Sequence, residues 1–448
     1  MFKTFRNAWK IEDLRKKFIF TFMALVIVRF GCQLFVPGID STNIQAFFNE
    51  FSGADFFDAF TGGSFSQLSV FALSITPYIT SSIIIQLLTI AIPKLEEIQK
   101  DGEDGRKKIA EITRYLTVVL AVMESFAMAV GFSKSGYITG GKPVIAMMIL
   151  SMTAGSAFLM WLGEQITERG VGNGISIILL INIVSRIPND ITNLFTQFVA
   201  NAGNRVNAVI GAVVIIAVIV FIVAFVIILS DAERRIPVQY AKKVQGRRQV
   251  GGQNTYIPLK VNTAGVMPII FTVSLLQLPI LLAQLKGIRP ASGLDAEGKS
   301  VGLLPKILKV LSTNQWFKMS SFGEFKYTVG LILYIAMLIF FAYFYTSITF
   351  NPMEVANNMK KQGGFIPGIR PGKPTQEYLT GVLNSVILIG AIGLTIVAIV
   401  PIFFEGAFGA NVSFGGTSMI IVVGVVLETM KQVESQMLVR HYKGFLND

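Results

Sequence analysis

Residues 71–92 read FALSITPYITSSIIIQLLTIAI. As one helix they would reach about 33 Å, enough for a bilayer core of roughly 30 Å. Polarity is scattered through the run at Ser74, Thr76, Thr80, Ser81, Ser82 and Gln86, and Pro77 removes a backbone donor one turn in. A helix of this kind needs protein or water on at least one side, because lipid offers its polar groups no partner. Directly before it lies GADFFDAFTGGSFSQ, residues 53–67, too short and polar to span and joined by almost no linker. A polar stub leading straight into such a helix points to a segment folded back into a cavity within the membrane.

The rest of the chain supports a membrane reading. Of 448 residues, 52% are hydrophobic and only 15% charged, against about 25% charged in soluble domains. The basic N-terminus followed by an apolar run at 18–36 resembles a secretion signal. That run is long, contains Arg29 and lacks a small-residue cleavage site, so it is expected to be a retained first span. One cysteine, Cys32, excludes an internal disulfide, and with one histidine, His441, no Cys/His metal cluster is expected. No cofactor is expected either.

Apolar runs predict ten spans, near 18–36, 70–92, 112–132, 143–166, 174–198, 206–230, 263–286, 326–348, 379–404 and 413–430. Pro93, Pro188 and Pro352 mark expected ends. With the N-terminus inside, the inner connections hold 27 of the 39 lysines and arginines, the outer ones 11, and Arg29 lies within a span. The positive-inside rule therefore puts both termini in the cytoplasm. The exception is the outer loop at 287–325, which is basic but long.

Two inner connections exceed what topology needs. ERRIPVQYAKKVQGRRQVGGQNTYIPLK, residues 233–260, alternates apolar and basic residues on either side of Gly246, as a basic β-ribbon does. Residues 351–377 contain FIPGIRPGKP, whose prolines and glycines predict a shaped loop. Composition alone allows two readings: positive-inside clusters against anionic lipid, or a docking platform for an acidic or nucleic-acid-rich partner.

Arg29 and Glu124 are charges inside spans. Arg29 near an outer end can snorkel, and Glu124 can bond between helices. Two isolated charges do not make a proton relay, and no acidic pair marks a coupled solute transporter. Ile75 and Ile79 share a helix face beside Pro77, and Ile175 and Leu179 repeat that spacing after GVGNG at 170–174. Alone, such pairs read as packing residues; ringed around a polar cavity they would form a constriction closed by dewetting.

Several longer blocks carry a resemblance. MWLGEQITERGVGNGISI (160–177), VFALSITPYI (70–79), AKKVQGRR (241–248), PLKVNTAGVMP (258–268), FNPMEVANNMKKQGGFIPGIRPG (350–372) and FGGTSMIIVV (414–423) resemble the SecY family of protein-conducting channels, in family order. The likeness runs from about Leu14 to Arg440, and it is to bacterial members. It implies an all-α polytopic membrane fold of ten transmembrane helices in two inverted five-helix halves, a clamshell with an hourglass pore. The halves would be residues 1–205 and 206–448, the second carrying cytoplasmic loops 231–262 and 349–378.

The resemblance also implies roles. The pore ring falls on Ile75, Ile79, Ile175, Leu179, Ile270 and Ile421, with Leu179 a volume-conserving departure from isoleucine. A plug helix falls on about 53–67, including Ala54, Phe57, Phe60, Gly62, Gly63 and Ser66. A lateral gate opens between spans two/three and seven/eight, where Thr80 and Gln86 are expected to bond Ser274 and Gln277 across the seam. Lys242, Arg247, Arg248 and Arg370 are expected to dock the ribosome or the SecA ATPase. Further implied partners are SecE, SecG, signal sequences, nascent polypeptides and membrane lipid, in the bacterial cytoplasmic membrane. The implied function passes unfolded secretory chains across and releases hydrophobic segments laterally, with no chemistry of its own. The rivals are a small-solute transporter, for which no mid-span site is visible, and a membrane scaffold, for which the folded-back stub would be idle.

Overall fold

The computed structural model describes residues 8–37, 61–134, 141–200, 205–240, 243–245, 248–250, 254–285, 328–408 and 416–444, with isolated positions 6, 307, 310, 311 and 316. In chain order these form α1 (Glu12–Gly31), α2 (Thr76–Ala91), α3 (Pro93–Lys100), α4 (Gly102–Lys134), α5 (Gly141–Arg169), α6 (Gly174–Phe195, continued by a π-turn, Thr196–Ala200) and α7 (Arg205–Asp231). After β1 (Glu233–Tyr240), β2 (Lys243–Gln245), β3 (Arg248–Val250) and β4 (Asn254–Lys260) come α8 (Met267–Leu285), α9 (Val329–Thr349), α10 (Pro352–Lys361), β5 (Gly364–Phe365), α11 (Lys373–Phe408) and α12 (Gly416–Gly444).

Among the described residues, α4, α5, α6, α7, α9 and α11 are long and apolar enough to cross a membrane. Taken as one span, α2 with α3 is a seventh, bent by 108°. Helices α1, α8 and α12 occupy the other three expected spans. Their surfaces fit lipid: α7 is apolar all round, and Val213, Ile216, Val220 and Ile228 are exposed.

The second span departs from expectation. The helix begins only at Thr76 and runs 16 residues, about 24 Å. Residues 62–75 are a chain of turns, most of them buried. Pro77 therefore lies in the first helical turn, where its missing N–H leaves nothing unsatisfied, and not one turn in. Pro93 does end α2, and Asn351–Pro352 starts α10 with the Asn side chain capping Met353 and Glu354 N–H. Pro188 does not end the fifth span. Helix α6 continues through it, because Leu194 and Phe198 on the following turns pack into the core formed by α7, α8, α9, α11 and α12. Packing residues beyond a proline can hold a membrane helix together despite the lost donor.

The basic connection forms the ribbon that its alternation predicts. β1 pairs antiparallel with β4, Ile236 facing Ile257, and β2 pairs antiparallel with β3. β5 adds to the far edge of β1, giving the order β4-β1-β5. Ile236 and Val238 point into a cluster with Ala356, Met359, Ile366 and Leu379, while Arg235 and Pro237 face solvent. In the connection between α8 and α9, Trp316 is buried in the cluster that holds Leu194 and Tyr334 and donates to the Val310 carbonyl at 2.8 Å.

Close approach of backbone to backbone positions the irregular segment 61–75. A Cβ on Gly155 of α5 would lie 2.1 Å from the Val70 carbonyl oxygen. Gly155→Leu is accordingly expected to lower the melting temperature of the purified channel, overpacking costing about 1–3 kcal/mol. Gly381→Leu, at a position with nothing within 4 Å, serves as the control; equal melting temperatures for the two would contradict this packing.

Candidate functional site: an aliphatic constriction beneath a charged funnel

The loop Gly170–Asn173 sets up one wall of the site. Thr21 of α1 accepts from the Val171 N–H at 3.1 Å, and Asn173 caps α6 by accepting from Ile175 and Ser176 N–H. Gly174 lets α6 begin against α5, since a Cβ there would lie 1.9 Å from the Gly163 carbonyl oxygen. Ile175 and Leu179 thereby project from a fixed helix start. Opposite them, Ile75 caps the start of α2 and its carbonyl accepts from the Ile79 N–H at 3.0 Å. Ile270 comes from the first turn of α8 and Ile421 from α12.

These six side chains, from four helices far apart in sequence, fall in one hydrophobic cluster. Ile75, Leu179, Ile270 and Ile421 are buried in it, and Ile79 and Ile175 pack against it half-exposed. Above it opens a cavity of about 750 Å³, on the side of the β-sheet. Ile79, Ile175, Leu179 and Ile270 form part of its lining, and Arg114, Glu164, Glu168, Lys260, Glu428 and Lys431 stud its walls. Arg114 pairs with Glu164 at 2.8 Å, and Lys431 with Asp231 at 2.8 Å. The lining thus joins charges of both signs to four of the six aliphatic side chains. Aliphatic side chains ringed around a polar cavity can close it by dewetting.

The remaining expected residues are placed less evenly. Thr80 is buried and donates to its own helix at the Thr76 carbonyl, 3.1 Å away, so its proton is used within α2. Gln86 is half-exposed on the funnel wall, its Oε1 buried without a hydrogen-bond partner. Ser274 is half-buried on α8, and the side chain of Gln277 lies outside the described residues. The contact of α2 with α8 and α9 is apolar: Ile83, Phe271 and Phe341 are its buried centre, with Phe271 and Phe341 edge-on at 5.7 Å. Helix α4 touches α8 as well, closing this seam from the same flank.

Of the plug residues, Ala54, Phe57 and Phe60 lie outside the described residues. Gly62, Gly63 and Ser66 lie in the turns leading to Ile75, Gly62 buried and the other two half-buried. Arg29 does not simply snorkel: its Nη1 donates to the Gly62 carbonyl at 3.2 Å. Glu124 is half-buried on α4 and does not line the funnel. Among the docking residues, Lys242 and Arg247 and the side chain of Arg248 lie outside the described residues. Arg370 is exposed in a loop whose carbonyl at that residue accepts from Thr375 Oγ1 at 2.8 Å. Arg235, not singled out from sequence, lies over Tyr256 at 4.9 Å and bonds Glu233, whose carboxylate raises the guanidinium pKa.

A SecY family profile matches residues 69–430. The protein translocase subunit SecY of Streptomyces coelicolor is 43% identical, with all of both chains covered. A solved structure described as that of a protein conducting channel superposes with a TM-score of 0.61 at 18% identity, covering 95% of this chain and 93% of the other. Another, at the same TM-score and identity, covers 95% and 92% and is described as showing that the plug domain of the SecY protein stabilises the closed state and maintains a membrane seal. The chain belongs to the SecY family, the multi-pass channel subunits of the protein translocase, and shares the fold of the protein-conducting channels.

Proposed function

We propose that Ile75, Ile79, Ile175, Leu179, Ile270 and Ile421 are the gasket of the conducting path, and that residues 53–67 are its plug. The observation that carries this reading is the convergence of all six on one cluster, four of them lining the charged cavity. An aliphatic ring grips no particular sequence, which suits a path that must pass many unfolded chains. The plug assignment draws on the buried course of its described end and on the role stated for the plug of the neighbouring SecY structure.

The halves 1–205 and 206–448 would part along the seam where α2 and α4 meet α8 and α9, giving hydrophobic segments a way to lipid. Apolar contacts there separate into lipid at small cost, since lipid tails are as apolar as the partner helix. Thr80, Gln86, Ser274 and Gln277 would tune that seam, Gln86 having an acceptor free. The funnel and sheet face the cytoplasm together with both termini, in the bacterial inner membrane. Lys242, Arg247, Arg248 and Arg370 would meet ribosomal RNA phosphates or SecA carboxylates, with SecE and SecG as accessory subunits. A channel of this kind has no reaction to catalyse; nucleotide hydrolysis belongs to its partners.

Serine at Ile79, Ile175 and Ile270 is expected to raise ion conductance through resting channels in planar bilayers, because a hydroxylated floor wets. A bilayer as tight as with the parent would contradict the gasket. Arg370→Glu is expected to stall export while leaving the purified channel's melting temperature unchanged; normal export would remove the docking role. Ribosome affinity should also fall steeply with added salt if phosphates are the targets.

A further inference from the structure

We propose that Arg29 and Asn182 form a two-point latch that pins the root of the plug in its closed position. This deepens the closure reading above and rests on it. The root, residues 61–75, has no helix to satisfy its backbone, and its path turns through left-handed conformations at Gly62 (φ +67°), Gly63 (φ +89°), Leu68 (φ +43°) and Ser74 (φ +50°). For Leu68 and Ser74 that conformation is costly and persists only where the surroundings impose it.

The two pins act at the two ends. At the first, the Arg29 guanidinium donates to the Gly62 carbonyl from the last turn of α1, where a cation also suits the helix dipole. Gly62 is wedged there: a Cβ on it would lie 2.6 Å from Arg29 Nη1 and 3.0 Å from the Asn182 Cα. At the second, Asn182 Nδ2 donates to Ser74 Oγ at 3.2 Å, one residue before Ile75 of the ring. Asn182 is buried on α6 and follows Ile175 and Leu179 at helical spacing, so it continues the face that carries two ring residues. Asn182 thus touches both ends of the root. Displacing α6 would disturb the ring and both pins together, which couples opening of the ring to release of the plug.

The only cysteine offers a reporter. Cys32 is buried at the end of α1, in the same cluster as Phe71 and beside Ser64 of the root. Labelling of Cys32 by a membrane-impermeant maleimide is to be measured on the full-length channel in sealed vesicles with the outer face accessible, alongside resting ion leak. Arg29→Met, Asn182→Leu and Ser74→Ala are each expected to speed labelling by about threefold to thirtyfold, the range set by losing one intramembrane hydrogen bond. Ile79→Ser is expected to raise leak without speeding labelling. Unchanged labelling in Arg29→Met and Ser74→Ala, with the channel folded and inserted, would overturn the latch. A rise at only one pin would overturn the paired assignment. Should Arg29→Met fail to insert, Arg29→Gln reads the first pin instead: faster labelling in it and in Ser74→Ala supports the latch, and unchanged labelling in both overturns it. Absence of leak in Ile79→Ser would instead strike the gasket, leaving the labelling result to stand for the latch.

Discussion

Backbone that is not helical cannot face lipid, because each unpaired N–H or C=O there costs several kcal/mol. Residues 61–75 are such backbone, and much of the structure around them answers that constraint. Val36 N–H donates to the Leu68 carbonyl and Val70 N–H to the Leu34 carbonyl, tying the segment to the end of α1. Thr61 and Ser69 hydroxyls accept from Phe65 and Phe71 N–H. Small residues on the flanking helices admit the chain: a Cβ on Gly31 would sit 2.0 Å from the Phe71 ring. This housing fixes the position of Ile75, the last residue before α2.

The ring is assembled by elements that have nothing local in common. Two members sit at the mouth of a proline-started helix, two behind an Asn-capped one, and one each on α8 and α12. Burial differs around it: Ile75 and Ile421 are fully enclosed, whereas Ile79 and Ile175 look into the funnel. The enclosed members belong to the buried core of the cluster, and the half-exposed ones face the cavity; under the proposed function, the latter are the surface that a chain in transit would meet. Apolar seams and an apolar floor share one property: their contacts can be exchanged for lipid or for a passing chain at little net cost.

Much of this is legible in the sequence. Ten apolar runs correspond to ten helices, and the alternation in 233–260 anticipates the paired strands. The start of α2 is harder to place because FALSI is apolar whether coiled or turned; Thr76-Pro77 is the signal that marks it, proline being suited to a first helical turn. Pro188 misleads in the opposite sense, since tertiary packing beyond it carries α6 onward. Isoleucines at i, i+4 are equally good packing residues, so periodicity does not separate a gasket from a core, and the proposed gasket draws on the family likeness instead. The Arg29–Gly62 and Asn182–Ser74 contacts join positions 33 and 108 residues apart and leave no local trace.

Under the proposed function, the six aliphatic residues surround the path of a translocating chain. Photo-crosslinking residues placed one at a time at Ile79, Ile175, Ile270 and Ile421, with a secretory chain arrested in transit, test it most directly. Crosslinks to the arrested chain are predicted from all four positions, and none from Ile216, which is 63% exposed on the lipid-fitted face of α7. Silence at the four positions, with crosslinks from Ile216, would place the path elsewhere and contradict the account.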